Sequence, residues 1–366
     1  MSFPYPLIVK EKKFLPRGVK ILEAFDRAHR ELFFVTHPNF KSGQPAAEAA
    51  CQQFLKKSRP AEVWIYYPWR KLAVHTVGEK FYFQLRTARN RQVITAEEQE
   101  NYRRCRVGIA GLSVGSGILS ILVQSGGPQT LKIADFDEIE ITNLNRLRAK
   151  LTDVGENKTW VAARDVWELD PFADLHLWDN GLNRENIEKF ISGRPKLDIF
   201  IDEMDDLGMK IMARDFCRQR GIPVMMATDN GDGAILDVER FDQEPARPFF
   251  HGLIRSYALE ELAGLNYRQW LKLATEIVGP QYLTERMQES ILEIGKSVAG
   301  VPQLGTAASV AGAGTALAVR MIANGQPLPS GRYLLGLEEK IIPDYQSKKL
   351  KQRRQHLAKK IKQLFL

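Results

Sequence analysis

The chain has 366 residues, of which 44% are hydrophobic and 26% are charged. These fractions are ordinary for a globular protein, and the length suggests two domains at roughly 100–200 residues each. No run of about 18 uncharged apolar residues is present, and the N-terminal segment does not resemble a secretory signal, so neither a transmembrane helix nor secretion is expected. The net charge of +8 arises in the last turns, where eight lysines and arginines follow Asp344 without any acidic residue.

The three cysteines, Cys51, Cys105 and Cys217, lie far apart and form no Cys-x-x-Cys pair. A structural zinc site is therefore not expected, and scattered free thiols suit a reducing compartment. We expect a cytoplasmic protein whose cysteines serve in packing.

Residues 1–86 predict a small α+β unit of unknown role. An apolar-polar stretch over 18–34 indicates a helix, and two strand-like runs follow over 62–67 and 72–77. Pro68 and Trp69 mark the turn between these strands.

A domain over 87–340 begins with a helix at 95–104, after which strands and helices alternate. The predicted strands are 106–111, 130–134, 174–178, 197–201 and 222–227, and the predicted helices are 115–124, 153–167, 184–191 and 207–220. Repeated βα units predict an α/β fold with a Rossmann-like, doubly wound, mostly parallel sheet.

After residue 241 the alternation stops. The sequence predicts a helical insertion over 243–300, with helices at 257–262, 267–277 and 283–292, and then an Ala/Gly-rich helix at 302–322. A basic C-terminal helix over 343–366 completes a helical extension. Its charges predict a solvated surface or a docking face for an acidic protein partner, nucleic acid or an anionic membrane.

A glycine turn follows the strand at 106–111, with Gly111, Ser113 and Gly115 in its sequence. A turn of this kind lets backbone N–H groups and a helix N-terminus face a phosphate. Asp135 ends the next strand, where a carboxylate can accept hydrogen bonds from a ribose of either ATP or NAD.

The residues after Asp135 favour a triphosphate over a dinucleotide. Asn143 and Arg146 can hold phosphate oxygens, and Lys158 is a second phosphate partner at the start of a predicted helix. Asp202 and Asp205 flank the end of a later strand, where a carboxylate can hold Mg²⁺. This set predicts a cation-rich site for ATP with a metal-binding acid.

In order and spacing, these motifs resemble the ubiquitin-activating enzyme superfamily in its bacterial ThiF/MoeB-like form. The matching segments lie within about residues 88–240 and comprise Asn90-Arg91-Gln92, Asp135-Phe-Asp137, Asn143-Leu-Asn-Arg146, Gly155-Glu-Asn-Lys158 and Asp202-Glu-Met-Asp205.

The resemblance implies a role for each matched residue. Nucleotide binding would fall to the turn and its neighbours, namely Gly111, Ser113, Gly115, Asp135, Asp137, Asn143, Arg146 and Lys158. Asp135 would bind ribose, and Asp205 would position Mg²⁺. Arg91 would serve as an arginine finger in a homodimer, acting with Arg146, Lys158 and Asp205 in catalysis. The implied reaction is attack of a substrate carboxylate on the α-phosphate of ATP, giving an acyl-adenylate and pyrophosphate.

The chain departs from the family pattern at two points. Ser113 and Val114 replace the second and third glycines of the turn, and Val114 brings bulk near the phosphates. No cysteine follows Cys217, so we expect adenylation without an internal thioester. The adenylate would pass to an amine or to a sulfur on a partner.

Three functional interpretations remain open at this stage. The first is an adenylyltransferase whose carboxylate donor is a ubiquitin-like protein, a peptide or a small acid. The second is an NAD(P)-dependent oxidoreductase on a similar sheet, and the third is a non-catalytic scaffold subunit of the same fold. Protection by Mg-ATP but not by NAD would favour the first.

Overall fold

The structure is a computed structural model that describes residues 5–255, 261–262 and 264–365. Packing divides the chain into two compact units. The first contains the described residues up to Gln99 together with Trp167–Ala173. The second contains Glu100–Val166 together with the described residues from Asp174 onward.

The first unit contains a four-stranded mixed sheet. Its strands are β1 (Leu7–Val9), β2 (Lys20–Glu23), β3 (Glu62–Tyr67) and β4 (Leu72–Val77), in the order β1-β3-β4-β2. The predicted pair at 62–67 and 72–77 is confirmed as an antiparallel hairpin, and β2 runs parallel to β4.

Helices α1 (Phe25–Thr36), α2 (Pro45–Lys57) and α3 (Glu79–Arg86) complete this unit. The helix predicted over 18–34 is wrong in its first turns, because Lys20–Glu23 forms strand β2 instead. The backbone of β2 pairs with Leu72–His75 of β4. Pairing with a distant strand has overridden the local helical pattern, so α1 begins only at Phe25.

The second unit is built on a seven-stranded sheet of the described residues. Its strands are β5 (Arg106–Ala110), β6 (Thr130–Ala134), β7 (Asp174–Trp178), β8 (Ile199–Asp202), β9 (Val224–Asn230), β10 (Gly233–Glu239) and β11 (Gly331–Leu335). The order is β11-β10-β9-β8-β5-β6-β7, and the five strands from β9 to β7 are parallel. The predicted mostly parallel sheet is confirmed.

Two antiparallel strands, β10 and β11, were not predicted. β10 follows β9 through a tight turn in which Gly231 adopts φ +66°. Every residue of β10 is buried, so the strand lacks the apolar-polar alternation that reveals a half-exposed strand.

The helices after α3 are α4 (Ala96–Arg104), α5 (Val114–Gln124), α6 (Lys158–Leu169), α7 (Ile187–Ser192), α8 (Leu207–Gln219), α9 (Tyr267–Val278), α10 (Glu285–Ile291), α11 (Gly305–Ala323), α12 (Glu338–Ile341) and α13 (Lys348–Phe365). The helix predicted over 153–167 begins five residues late. Gly155 adopts φ +86°, and Glu156 accepts a backbone bond from Ile139, which keeps this segment in a loop. Most of the helix predicted at 257–262 lies outside the described residues.

Helices cover both faces of the parallel sheet. A methyl group added at Gly108 of β5 would meet Phe190 of α7, whereas the next residue, Ile109, lies against Gly115 of α5. Successive strand residues point to opposite faces, so α7 and α5 pack on different sides. This arrangement confirms the doubly wound architecture.

One helix of the described residues, α11, is long and apolar enough to cross a membrane by length and composition alone. It packs instead against α5 and β10 through buried small residues such as Ala308 and Ala311. At Gly312 an added methyl group would lie 3.0 Å from the Gly117 carbonyl oxygen, so small residues allow this close approach. The contacts are those of a core helix.

Candidate functional site

The glycine turn joins β5 to α5 in a conformation that only glycine tolerates well. Gly111 adopts φ +90°, and a Cβ built on it would lie 2.2 Å from the Glu203 carbonyl oxygen. Ser113 precedes the first residue of α5, and its side chain makes no capping hydrogen bond to the helix. The first N–H groups of α5 are therefore available to an anion.

Asp135 holds this turn in place. It follows the last residue of β6 and is buried, and one carboxylate oxygen accepts from the Leu112 N–H at 2.6 Å. The other accepts from the Asp137 N–H at 2.8 Å. Burial raises the pKa of Asp135, while the Lys158 ammonium opposes that rise. Each oxygen keeps a second lone pair that can accept a ribose hydroxyl.

Two cations converge on the carboxyl end of the sheet. The Lys158 ammonium is buried at the start of α6 and pairs with Asp137 at 2.7 Å. The Arg146 guanidinium donates to the Ser113 hydroxyl at 3.1 Å and to the Thr142 carbonyl at 3.0 Å. Arg146 is thus held beside the glycine turn, and Lys158 is held beside Asp137.

These residues line one cavity of about 980 Å³ in the second unit. That volume falls in the upper part of the range of small-molecule pockets, about 300–1,000 Å³. The predicted residues on its wall are Ser113, Asp137, Asn143, Arg146, Lys158 and Asp205. The predicted residues Gly111, Gly115 and Asp135 are not among the described residues that line the cavity. They lie behind the wall and shape or hold the turn that contains Ser113.

Asn143 contributes to the wall from a short 3-10 turn. It is buried, and its side-chain oxygen accepts from the Glu140 N–H at 3.1 Å, which closes the turn. The turn carries the chain onward to Arg146, so the Asn-Leu-x-Arg spacing has a structural as well as a binding use.

The two acids at the end of β8, Asp202 and the predicted metal ligand Asp205, have different environments. Asp202 is fully buried and its carboxylate binds Arg214 at 2.5 Å and Lys210 at 3.2 Å. Arg214 in turn pairs with buried Glu239 at 2.6 Å. Asp202 therefore belongs to a closed ion network, and Asp205 is the member of the pair that faces the cavity.

The residues on the wall fit a nucleotide with its cation. The turn leaves no room for a side chain at Gly111, the start of α5 is uncapped, and two cations face the same space. In the described residues, no group of three His, Cys, Asp or Glu side chains is placed to hold a metal. A single carboxylate such as Asp205 is still sufficient for Mg²⁺ that is bound mainly through phosphates.

Glu203 and Asp229 are among the acidic wall residues that were not predicted from the sequence. Glu203 is half-buried, and desolvation of its carboxyl raises its pKa well above the usual range, while one of its oxygens accepts from the Ala227 N–H at 2.8 Å. Asp229 on β9 is only 5% exposed, and burial raises its pKa to about 6 against the opposing effect of Arg146. Asp229 lies within β9, two residues beyond the predicted end of that strand, and no motif in the sequence marks it.

Arg91 lies in the first unit, in the loop between α3 and α4. Its guanidinium donates to the Val35 carbonyl at 3.3 Å, and the residue lines a separate cavity of about 520 Å³ with Phe83 and Gln99. Its role as an arginine finger stays a prediction.

The cysteines suit packing. All three are free and buried, and burial raises the thiol pKa of both Cys105 and Cys217. A raised pKa keeps a thiol protonated and unreactive. Cys217 lies in the core cluster with Phe190, Phe200 and Phe241.

Comparison with known proteins places this site in a family context. An uncharacterized protein of Mycobacterium tuberculosis is 42% identical to this chain over 272 residues. The match covers 74% of this chain and 37% of the relative. The tRNA threonylcarbamoyladenosine dehydratase of Bacillus subtilis is 28% identical over 166 residues, covering 43% of this chain and 64% of the relative. The chain thus spans less than two thirds of the length of either.

Among solved structures, E. coli MccB with ATP matches 90% of this chain and 91% of its own, at 16% identity and a TM-score of 0.47. The pattern of the ThiF family matches residues 87–327. That match extends over more than half of the chain and includes every wall residue described above. The chain belongs to the ThiF family.

Proposed function

We propose that this protein is an ATP-dependent adenylyltransferase that activates a substrate carboxylate. The observation that carries the proposal is the convergence of an uncapped α5 N-terminus, Arg146, Lys158 and Asp205 on one cavity. Membership of the ThiF family supports the same reading. The two cations, Arg146 and Lys158, suit the charged triphosphate of ATP better than the diphosphate of a dinucleotide.

The proposed step forms a bond between a carboxylate oxygen of the substrate and the α-phosphorus of ATP. The bond from that phosphorus to the bridging oxygen breaks, and pyrophosphate leaves with the electron pair. The products are an acyl-adenylate and pyrophosphate. Arg146 and Lys158 would neutralise charge that develops on phosphate oxygens, and the turn would orient the α-phosphate.

Mg²⁺ is part of the proposal, with Asp205 as its protein ligand. When bound, the ion would neutralise phosphate charge. Asp202 would act indirectly, because its bonds to Lys210 and Arg214 anchor the segment that carries Asp205.

An internal thioester is absent from the proposed reaction. The sequence has no cysteine after Cys217, and the buried Cys217 thiol is held in its protonated form. The acyl group would therefore pass directly to an amine, or to a sulfur on a partner. Candidate carboxylate donors are a ubiquitin-like protein, a peptide and a small acid.

The test is ATP–pyrophosphate exchange with Mg²⁺, using proteins that end in Gly-Gly, peptides and small carboxylic acids. Exchange that requires one carboxylate and is lost in Arg146→Ala, but kept in the exposed neighbour Arg148→Ala, would support adenylation. Absence of exchange with every carboxylate would refute it. Thermal protection by NAD and not by Mg-ATP would favour the oxidoreductase alternative.

A homodimer with Arg91 acting in trans belongs to the same proposal. If Arg91 and Arg146 serve one site from two subunits, Arg91→Ala and Arg146→Ala are each inactive alone. Mixing the two variants after dissociation and reassociation should restore part of the exchange activity, because some dimers then hold one intact site. No recovery on mixing would refute action in trans.

We also propose that α13 docks an acidic partner. Leu357, Ala358 and Ile361 bury one face of this helix, and Arg353 pairs with Glu285 and Glu289 of α10. The lysines of this helix are exposed, namely Lys348, Lys349, Lys351, Lys359, Lys360 and Lys362. Binding of an acidic protein that weakens with salt, and is lost when these lysines become glutamine, would support docking.

A further inference from the structure

The cavity contains a carboxylate whose partner is missing from the described residues. Asp229 lies on β9, is 5% exposed and lines the cavity. Neither of its oxygens has a hydrogen-bond donor within range in the described part of the chain. The Gln303 side chain favours the charged form of Asp229, but it makes no hydrogen bond of normal distance and angle to either carboxylate oxygen.

Burying a carboxylate without a hydrogen-bond donor lowers the stability of the folded protein. The place of Asp229 on a cavity wall therefore points to a ligand that supplies the donor. The matching ligand group is a cation with N–H donors, since charge-assisted hydrogen bonds to a carboxylate are the strong ones. A primary ammonium group satisfies this need with its three donors.

The charge of the nearby Arg146 narrows the choice of ligand class further. Asp229, Asp205 and Glu140 all act electrostatically on the Arg146 guanidinium, which itself donates to the Ser113 hydroxyl of the turn. A guanidinium that would hold phosphate oxygens and an unpaired carboxylate therefore act on the same part of the cavity. In an α-amino acid the ammonium is attached to the carbon that bears the carboxylate, so Asp229 can bind the ammonium while that carboxylate faces the phosphate.

An apolar surface adjoins these charges. Met226 of β9 and Trp270 and Ile277 of α9 line the cavity, and Met226 and Ile277 belong to one hydrophobic cluster with Leu207. An apolar side chain placed here would be removed from water, which favours binding.

We propose that the substrate of this site is a small α-amino acid with an apolar side chain, whose ammonium group is bound by Asp229. This inference rests on the adenylation proposed above. The amino-acid carboxylate attacks the α-phosphorus, pyrophosphate leaves, and the ammonium keeps its protons throughout. Asp229 acts as a specificity residue that touches substrate and takes no part in the bond changes.

The experiment compares acids that differ only in their amino group. Exchange is measured with leucine against 4-methylpentanoic acid, and with phenylalanine against 3-phenylpropanoic acid, on the full chain and on Asp229→Asn. We expect the amino acids to support exchange with a KM at least tenfold lower than the matched acids. In Asp229→Asn the KM for the amino acid rises at least tenfold, while the KM for Mg-ATP stays within twofold.

A second readout does not depend on turnover. Leucine should raise the Tm of the wild type in the presence of the non-hydrolysable analogue AMPCPP, and this rise should be lost in Asp229→Asn. Asp229→Asn is an isosteric change, so it should leave the packing intact. A melting curve measured without ligand identifies a variant that fails to fold. Exposed Glu185→Gln is the matched control, and it should behave as the wild type.

Three outcomes would overturn the inference, and they are distinguishable. Equal exchange with the matched acids, or exchange only with a Gly-Gly protein, refutes the amino-acid substrate but leaves adenylation standing. A rise in the KM for Mg-ATP rather than for the amino acid makes Asp229 a nucleotide or metal contact. No exchange with any acid refutes the proposed adenylation and the inference with it.

Discussion

Asp229→Asn tests the electrostatics of the cavity through stability alone. Burial raises the pKa of Asp229 from 3.8 to about 6 in the folded protein. The folded state therefore binds a proton more tightly than the unfolded state does. Stability is lost as the pH rises from about 4 to about 6, because the buried carboxyl must then ionise beside an incomplete set of partners.

The magnitude follows from the size of the pKa shift. One pKa unit corresponds to about 1.4 kcal/mol, so ionisation of Asp229 costs about 3 kcal/mol above pH 7 and about 1.6 kcal/mol at pH 5. Asparagine has nearly the same shape and does not ionise. Asp229→Asn should therefore be more stable than the wild type, by about 1.4 kcal/mol more at pH 8 than at pH 5.

Urea unfolding followed by circular dichroism at pH 5, 6, 7 and 8 measures this difference. Comparing the variant with the wild type at each pH cancels the titration of groups that both chains share. Glu185→Gln removes an exposed carboxylate and should show no such trend. A stability difference that is constant with pH, or a variant that becomes relatively less stable as the pH rises, would refute the reasoning.

Three further substitutions test the turn, the cation pair and the network behind them. Gly111→Ala should weaken ATP binding at least tenfold by calorimetry, because its Cβ would lie 2.2 Å from the Glu203 carbonyl oxygen; unchanged affinity would contradict the tight turn. Lys158→Met should reduce ATP–pyrophosphate exchange by about 100-fold, the size expected when one group that stabilises developing charge is removed, and a loss below twofold would exclude it from the site. Arg214→Met leaves buried Asp202 without its 2.5 Å partner and should cost about 3–5 kcal/mol in urea unfolding, whereas a cost below about 1 kcal/mol would show that water or Lys210 replaces it.

Much of the second unit follows from its sequence because its βα units are local. The helix over 95–104 and the strands at 130–134 and 174–178 were predicted within a residue of their observed bounds. Each has a clear hydrophobic period and a turn or cap at its end. Errors arose where a distant partner decides the structure, as in β2, which pairs with β4 about 50 residues away.

The nucleotide side of the candidate site could be predicted for a related reason. Its wall residues Asn143, Arg146 and Lys158 occur within 16 residues of sequence, and Ser113 and Asp205 follow strand ends. Parallel strands bring their carboxyl ends to one edge, so residues that follow successive strands meet there. The resemblance already assigns Mg²⁺ to Asp205, and the structure adds that Asp205 lies on the cavity wall whereas Asp202 belongs to a closed ion network.

The opposite side of the cavity could not be predicted, because its residues come from elements without a shared motif. Met226 and Asp229 lie on one strand, Trp270 and Ile277 on a helix that follows an irregular segment, and Gln303 on the approach to α11. In the sequence, Asp229 comes two residues after the predicted end of its strand and resembles an ordinary turn acid. Its significance depends on burial, on the nearby Arg146 charge and on the lack of a donor, and all three are properties of the folded chain. One wall carries the motif residues that the sequence marks and the opposite wall carries residues that no motif marks, so we expect the second wall to select the substrate of the proposed reaction.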